Sequence, residues 1–331
     1  MLQPDLSNLP MYQRLVGPSW LANYPTSPGG QTAQRPCHYV QLEADLCLLR
    51  NLVGEERLIE CYRDKLRCVD PCQVLQAMHE IHGVTLLGQA ASKLTLHVLR
   101  GDGSKHNFDA QAVIEGCEVN ADVKTRRDEF PFTSQATDEV EDTGVPIHWR
   151  PTVDEHETED YGLRSSPNTE PPVSRTPENK NIRDLLLGAV KRQLPVNGIN
   201  VVLLGHTHGD RQDLEFALEG APVLRTRRGH DPKIRLSQWG HLSTGAFTGS
   251  EESSEFRAVS AVLWFRLMEW DGQLFRGYKL YVHEAANDVM PGVVVESLRR
   301  VLETLQALAP GGEAEPVVYR VPVRRSSQQG S

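Results

Sequence analysis

Two short apolar runs that meet at a glycine constrain this chain most. The first runs Phe108-Asp109-Ala110-Gln111-Ala112-Val113-Ile114 and reaches Gly116; the second is Cys117-Glu118-Val119-Asn120-Ala121-Asp122-Val123-Lys124-Thr125. Their length, alternation and glycine joint predict two strands of a hairpin. Side chains alternate across a strand, so Asp122 and Lys124 project from one face. Glu118 and Asn120 share that face. Each strand thus carries a carboxylate, and the second adds a lysine two residues on. Such a group can hold a divalent ion beside a reacting phosphate, because Mg²⁺ favours a few carboxylates, waters and phosphate oxygens.

The flanking sequence predicts more elements of the same domain. Residues 43–53 have helical spacing, 55–67 continue as helix, and Pro71 opens another helix through Met78. Leu94-Thr95-Leu96-His97-Val98-Leu99 alternates like a strand and ends before the turn signal Gly101-Asp102-Gly103. Residues 182–194 form an amphipathic helix, closed by Pro195 and Gly198, and 199–204 read as a buried strand. A short helix is expected at 213–218. Strands at 259–267 and 275–282 flank Asp271-Gly272, a helix covers 294–308, and 317–323 is an edge-strand candidate.

Between these segments lie regions of different composition. Residues 1–36 read as a flexible arm anchored by residues such as Trp20 and Tyr24. Residues 134–181 are acidic between Asp138 and Asp160, then rich in Ser, Pro, Thr and Asn, and read as a disordered insertion. The domain is therefore expected in two parts, 37–133 and 182–309, with a tail at 310–331.

The order helix, three strands, helix, strand resembles the PD-(D/E)XK nuclease superfamily, an α/β class with a restriction-endonuclease-like αβββαβ core and a central mixed sheet. The motif residues are Asp109 on the second strand and Asp122-Val123-Lys124 on the third. Phe108 stands where the family often has proline. The later hairpin and helix are an addition to that core, similar to C-terminal segments of bacterial proteins of this kind. The resemblance implies Mg²⁺, with Mn²⁺ as the alternative, held by Asp109, Asp122 and the Val123 carbonyl. Lys124 would orient the attacking water and offset charge in the transition state. It carries Glu43 over as a ligand from the first helix, with Asp45 beside it, and places Gln193 near the site. The implied reaction is hydrolysis of DNA phosphodiesters, with RNA as an alternative substrate and a homodimer as a compatible assembly.

Basic residues offer contacts to a phosphate backbone: Arg126 and Arg127 after the motif, and Arg225, Arg227 and Arg228 in a segment with Lys233 and Arg235. Gly229 and Pro232 mark that segment as a loop. The net charge of −9 excludes broad basic binding over the whole surface but permits a local groove.

Other readings compete. Gly205-His206-Thr207-His208 resembles the metal motif of calcineurin-like phosphoesterases, but Asp154-Glu155-His156 and Gly209-Asp210-Arg211-Gln212-Asp213 stand in the wrong order and Gly-Asn-His is absent. A nuclease-like fold can also serve as a catalytically silent interaction module. Cys61, Cys68, Cys72, His79 and His82 form a loose cluster without a CxxC pair, a poor match to structural zinc. No apolar run reaches membrane-spanning length, and the first residues lack a signal-peptide layout, so the cytoplasm is the expected compartment.

Overall fold

A computed structural model describes residues 8–23, 36–68, 70–100, 107–125, 177–206, 211–220, 222–228, 235–241, 245–249, 251–270, 272–307 and 316–322. The helices are α1 (Pro10–Val16), α2 (Pro18–Asn23), α3 (Pro36–Val53), α4 (Glu55–Leu66), α5 (Pro71–Ala90), α6 (Pro177–Gly188), α7 (Arg211–Glu219) and α8 (Gly292–Ala307). Proline opens several of them, because it lacks only an N–H that the first turn leaves unbonded. The strands are β1 (Lys93–Leu99), β2 (Asn107–Ile114), β3 (Cys117–Thr125), β4 (Ile199–His206), β5 (Pro222–Arg228), β6 (Arg235–His241), β7 (Ala261–Trp270), β8 (Gln273–His283) and β9 (Val318–Val321).

Seven strands form one mixed sheet in the order β1-β2-β3-β4-β7-β8-β9. β1, β2 and β3 are successively antiparallel, β3 and β4 are parallel, and β4 is parallel to β7. The expected hairpin of β2 and β3 turns through Glu115 (φ 49°) and Gly116 (φ 77°), the double positive φ of a tight two-residue turn. β4 lies inside the sheet and is buried on both faces. Val201 and Leu203 enter one core while Val202 and Leu204 enter the other.

The first core lies under α1, α3, α4, α5 and α8; the second lies under α6, α7 and a 3-10 turn at Glu251–Ala258. The chain is therefore a three-layer α/β protein in which α5, β1, β2, β3, α6 and β4 follow one another. β7, β8 and α8 supply the added hairpin and helix. Among the described residues, no helix is long and apolar enough to cross a membrane.

Three expectations need correction. Residues 10–23 are not a loose arm: α1 buries Met11, Tyr12, Leu15 and Val16 in the first core. Arg67 Nε and Arg63 Nε donate to the carbonyls of Val16 and Leu15, at 2.7 and 3.1 Å, and fix its end. The helix before β4 starts at Pro177, inside the range read as disordered. Arg225, Arg227 and Arg228 lie on β5, which pairs with β6 in a separate two-stranded ribbon instead of a loop. Tyr24 and the acidic stretch lie outside the described residues.

α5 sets the position of the site. It is long because its apolar residues continue past Met78 to Ile81, Val84, Leu86 and Leu87, all buried. Gly83 brings it close to the sheet, since a Cβ there would stand 3.1 Å from Phe265 and 3.3 Å from Leu203. Glu80 is three residues earlier, on the same side of the helix.

Candidate metal centre

β2 and β3 part company at the two aspartates. Their ladder runs from Ile114↔Cys117 to Ala110↔Ala121 and stops there, although both strands continue. Extending the register by one step sets Asp109 opposite Asp122. The β1–β2 ladder omits the same row: Leu96 pairs with Ala110 and Val98 with Phe108, leaving His97 facing Asp109. His97 has φ 50°, a left-handed conformation unfavourable for a residue with a Cβ. The ribbon of β1 and β2 changes sides at this row. Leu96 and Ala110 enter the first core, whereas Phe108 enters the second and Val98 packs against it. His97, Asp109 and Asp122 thus line a break in the sheet, where polar side chains meet between two cores.

The break leaves backbone groups to satisfy. Val123 N–H has no β2 carbonyl opposite it and donates to Asp109 Oδ2 at 2.7 Å. α5 contributes Glu80 to the same place. One ligand atom each from Glu80, His97 and Asp109 lie within 4.8 Å of one another, a set able to hold a metal ion. His97 Nε2 is 3.2 Å from Glu80 Oε1.

Two cations flank these acids, one from β3 and one from α4. Lys124 Nζ is 2.5 Å from Asp122 Oδ2 and also bonds Gln193 Oε1. Gln193 arrives at the end of a five-residue π turn, Ala189–Gln193, that prolongs α6. On the other side, α4 places Lys65 Nζ 2.6 Å from Glu80 Oε2. Tyr62, one turn earlier on α4, sets its ring edge-on to His97 at 5.8 Å. Its hydroxyl is fully buried and has no hydrogen-bond partner among the described residues.

The electrostatics follow from burial. Asp109 is pushed well above the usual carboxylate range, first by burial, then by the charges of Glu80 and Asp122; the Val123 N–H offsets only part. Asp122, fully buried, is raised by burial and held back by Lys124. With both ionised, neither Asp122 oxygen has a well-directed donor despite the nearby ammonium. Burial would raise Glu80 as well, but His97 and Lys65 outweigh it and lower the carboxyl. Burial also raises the Tyr62 hydroxyl, with the charges of Glu80 and Asp109 adding to the effect. Three carboxylates against two ammonium groups leave one excess negative charge, an unstable condition for a buried site unless a proton or cation joins it. The orphaned Tyr62 hydroxyl and the underprotected Asp122 fit a divalent ion with its waters.

The sequence therefore names part of this group. Asp109, Asp122, Lys124 and Gln193 come together. Glu43 does not join them: its carboxylate accepts Met11 N–H at 2.8 Å and Tyr12 N–H at 2.9 Å, tying α1 to α3. Asp45 instead bonds His82 Nδ1 at 2.8 Å and Gln41 Nε2 at 2.9 Å. The helix that delivers an acid is α5, directly before β1, and the acid is Glu80. Asn120 bonds Asn200 at 3.1 Å, and exposed Glu118 lies at the far end of β3. His97, Lys65 and Tyr62 were also unforeseen. His97 sits on a polar position of the alternating β1 pattern, and Glu80 falls beyond the predicted helix end; those were the available signals.

His79 and His82 lie edge-on to Phe265, and among the described residues neither belongs to a group able to hold a metal ion. His206 closes β4, buried edge-on to Trp264 at 6.0 Å. His208, Asp154, His156, Arg126, Arg127 and Lys233 lie outside the described residues. Comparison of the chain with protein-family models, curated proteins and solved structures returns no match.

Proposed function

We propose that this chain is a divalent-metal-dependent nuclease that hydrolyses DNA phosphodiester bonds, built on a restriction-endonuclease-like core. The observation that carries the reading is the convergence of Glu80, His97 and Asp109 on one point at the sheet break, with Asp122 and Lys124 beside it. The sequence α5-β1-β2-β3-α6-β4, with β3 parallel to β4, supports the core assignment.

Charge balance favours a phosphodiester. One divalent ion changes the local excess from one negative to one positive charge, which the single negative charge of a phosphodiester then neutralises. Glu80, His97, Asp109 and Asp122 would hold the ion, with the Val123 carbonyl as a further oxygen. When bound, it supplies Lewis-acid polarisation of a phosphate oxygen. His97 would ligate through a ring nitrogen, with Glu80 Oε1 3.2 Å from its Nε2. Lys124, held between Asp122 and Gln193, places a positive charge where the phosphorus gains negative charge. The water oxygen forms the new bond to phosphorus, the ester oxygen leaves, and the water's proton is passed on to that oxygen.

The test is incubation of purified protein with supercoiled plasmid and single-stranded DNA, in Mg²⁺, Mn²⁺ or EDTA, beside Asp122→Ala and Lys124→Ala. Nicking or shortening that needs metal and disappears in both variants is expected. Cleavage that persists in both, or none by the wild type with either ion, removes the proposal.

A further inference from the structure

Lys65 makes close contacts with the one acid that α5 contributes. Its ammonium is 2.7 Å from Glu80 Oε1 and 2.6 Å from Oε2, so both carboxylate oxygens are engaged. Oε1 is the oxygen that also faces His97 Nε2. A cation held by Glu80, His97 and Asp109 would bring a second positive charge to the carboxylate that Lys65 already contacts. The ammonium also acts on Asp109, countering part of the push from burial, Glu80 and Asp122. In that same position Nζ stands 5.5 Å over the Tyr62 ring, a cation–π contact that does not involve Glu80.

We propose that Lys65 is a resident counter-ion of the metal-free site, which competes with the divalent ion for Glu80 and so sets the metal concentration at which the site fills. This rests on the metal-centre reading above. In the metal-free protein Lys65 neutralises a buried carboxylate that would otherwise repel Asp109 and Asp122. On metal binding it releases Glu80 and stays near the ring of Tyr62, one turn away on α4. A lysine that merely positioned Glu80 for the metal would have the opposite effect on affinity when removed.

Calorimetric titration of the full chain with Mn²⁺ separates these roles without relying on cleavage. Lys65→Met is expected to bind Mn²⁺ roughly tenfold more tightly than wild type, a modest figure for removing one partly exposed charge beside the ion. Its melting temperature in EDTA is expected to fall, because Glu80 loses its partner. Lys65→Gln removes the same charge and should give the same result with a more polar side chain. Unchanged or weaker Mn²⁺ binding in both variants, with binding lost in Glu80→Gln, overturns the counter-ion role and leaves the metal centre intact. No Mn²⁺ binding by wild type overturns both.

Discussion

Asp109→Asn should stabilise the metal-free protein while destroying its metal response. The amide oxygen can still accept the Val123 N–H that Asp109 Oδ2 accepts at 2.7 Å, so the local backbone keeps its partner. What disappears is a charge whose ligand oxygen lies within 4.8 Å of a Glu80 oxygen. At an effective dielectric of 20, two unit charges at that distance repel by about 3 kcal/mol. Lys65 on Glu80 reduces this, so a gain of roughly 1–3 kcal/mol remains, or about 1–4 °C in melting temperature for a chain this size. The gain should be largest at alkaline pH and shrink as the pH falls, because the raised Asp109 carboxyl takes up a proton before an ordinary carboxylate does. The assay is thermal unfolding in EDTA from pH 5 to 8.5, repeated with Mn²⁺. Wild type should rise with Mn²⁺ and the variant should not. A variant that melts below wild type in EDTA at pH 8.5, or that keeps the Mn²⁺ shift, refutes the reasoning.

Further consequences concern neighbouring groups. Lys124→Met leaves fully buried Asp122 without its cation. It should cost about 3 kcal/mol in urea unfolding and abolish cleavage; adding Asp122→Asn should restore stability but not cleavage, and no restoration would argue against the pairing. Glu43→Ala removes two buried N–H contacts to α1 and should cost roughly 2–4 kcal/mol. Its cleavage per folded molecule should match wild type, and selective loss of activity would return Glu43 to the site. The raised Asp109 and Asp122 carboxyls stabilise the metal-free fold below the ordinary carboxylate pKa, and that stability is lost as pH climbs through their folded values. The lowered Glu80 acts oppositely, contributing above its unfolded pKa and failing only in acid. Metal-free melting temperature should therefore fall from about pH 5 to pH 8, and Mn²⁺ should flatten the slope by replacing the proton; a metal-free protein more stable at pH 8 than at pH 5 would contradict this.

The legible part of the site is the part that strand alternation encodes. Asp122 and Lys124 share a face because they are two residues apart, and Asp109 meets them because Gly116 closes a tight hairpin. Gln193 was within reach because a helix end before a buried strand has few places to point. Glu80 was hidden by a boundary: apolar residues surround α5, so neither its length nor its sheet-facing side shows a clean period. His97 was hidden by conformation, since its positive φ and the turned-over ribbon leave no trace in an otherwise regular Leu-Thr-Leu-His-Val-Leu pattern. Glu43 misled because a buried acid on a helix serves equally well as a ligand or as a cap for a distant helix. Only the long-range contact with Met11 and Tyr12 distinguishes them. The β5–β6 segment reads as a loop in the sequence because Gly229 and Pro232 dominate local propensity, while its pairing depends on residues on either side of them.

The most direct test of the central claim is a crystal of the protein soaked in Mn²⁺, with anomalous diffraction recorded at the manganese edge. One peak at the parting of β2 and β3, roughly 2.0–2.3 Å from a Glu80 oxygen, a His97 nitrogen and an Asp109 oxygen, is the predicted result. No peak there at millimolar Mn²⁺, or a peak at His206 instead, would contradict it.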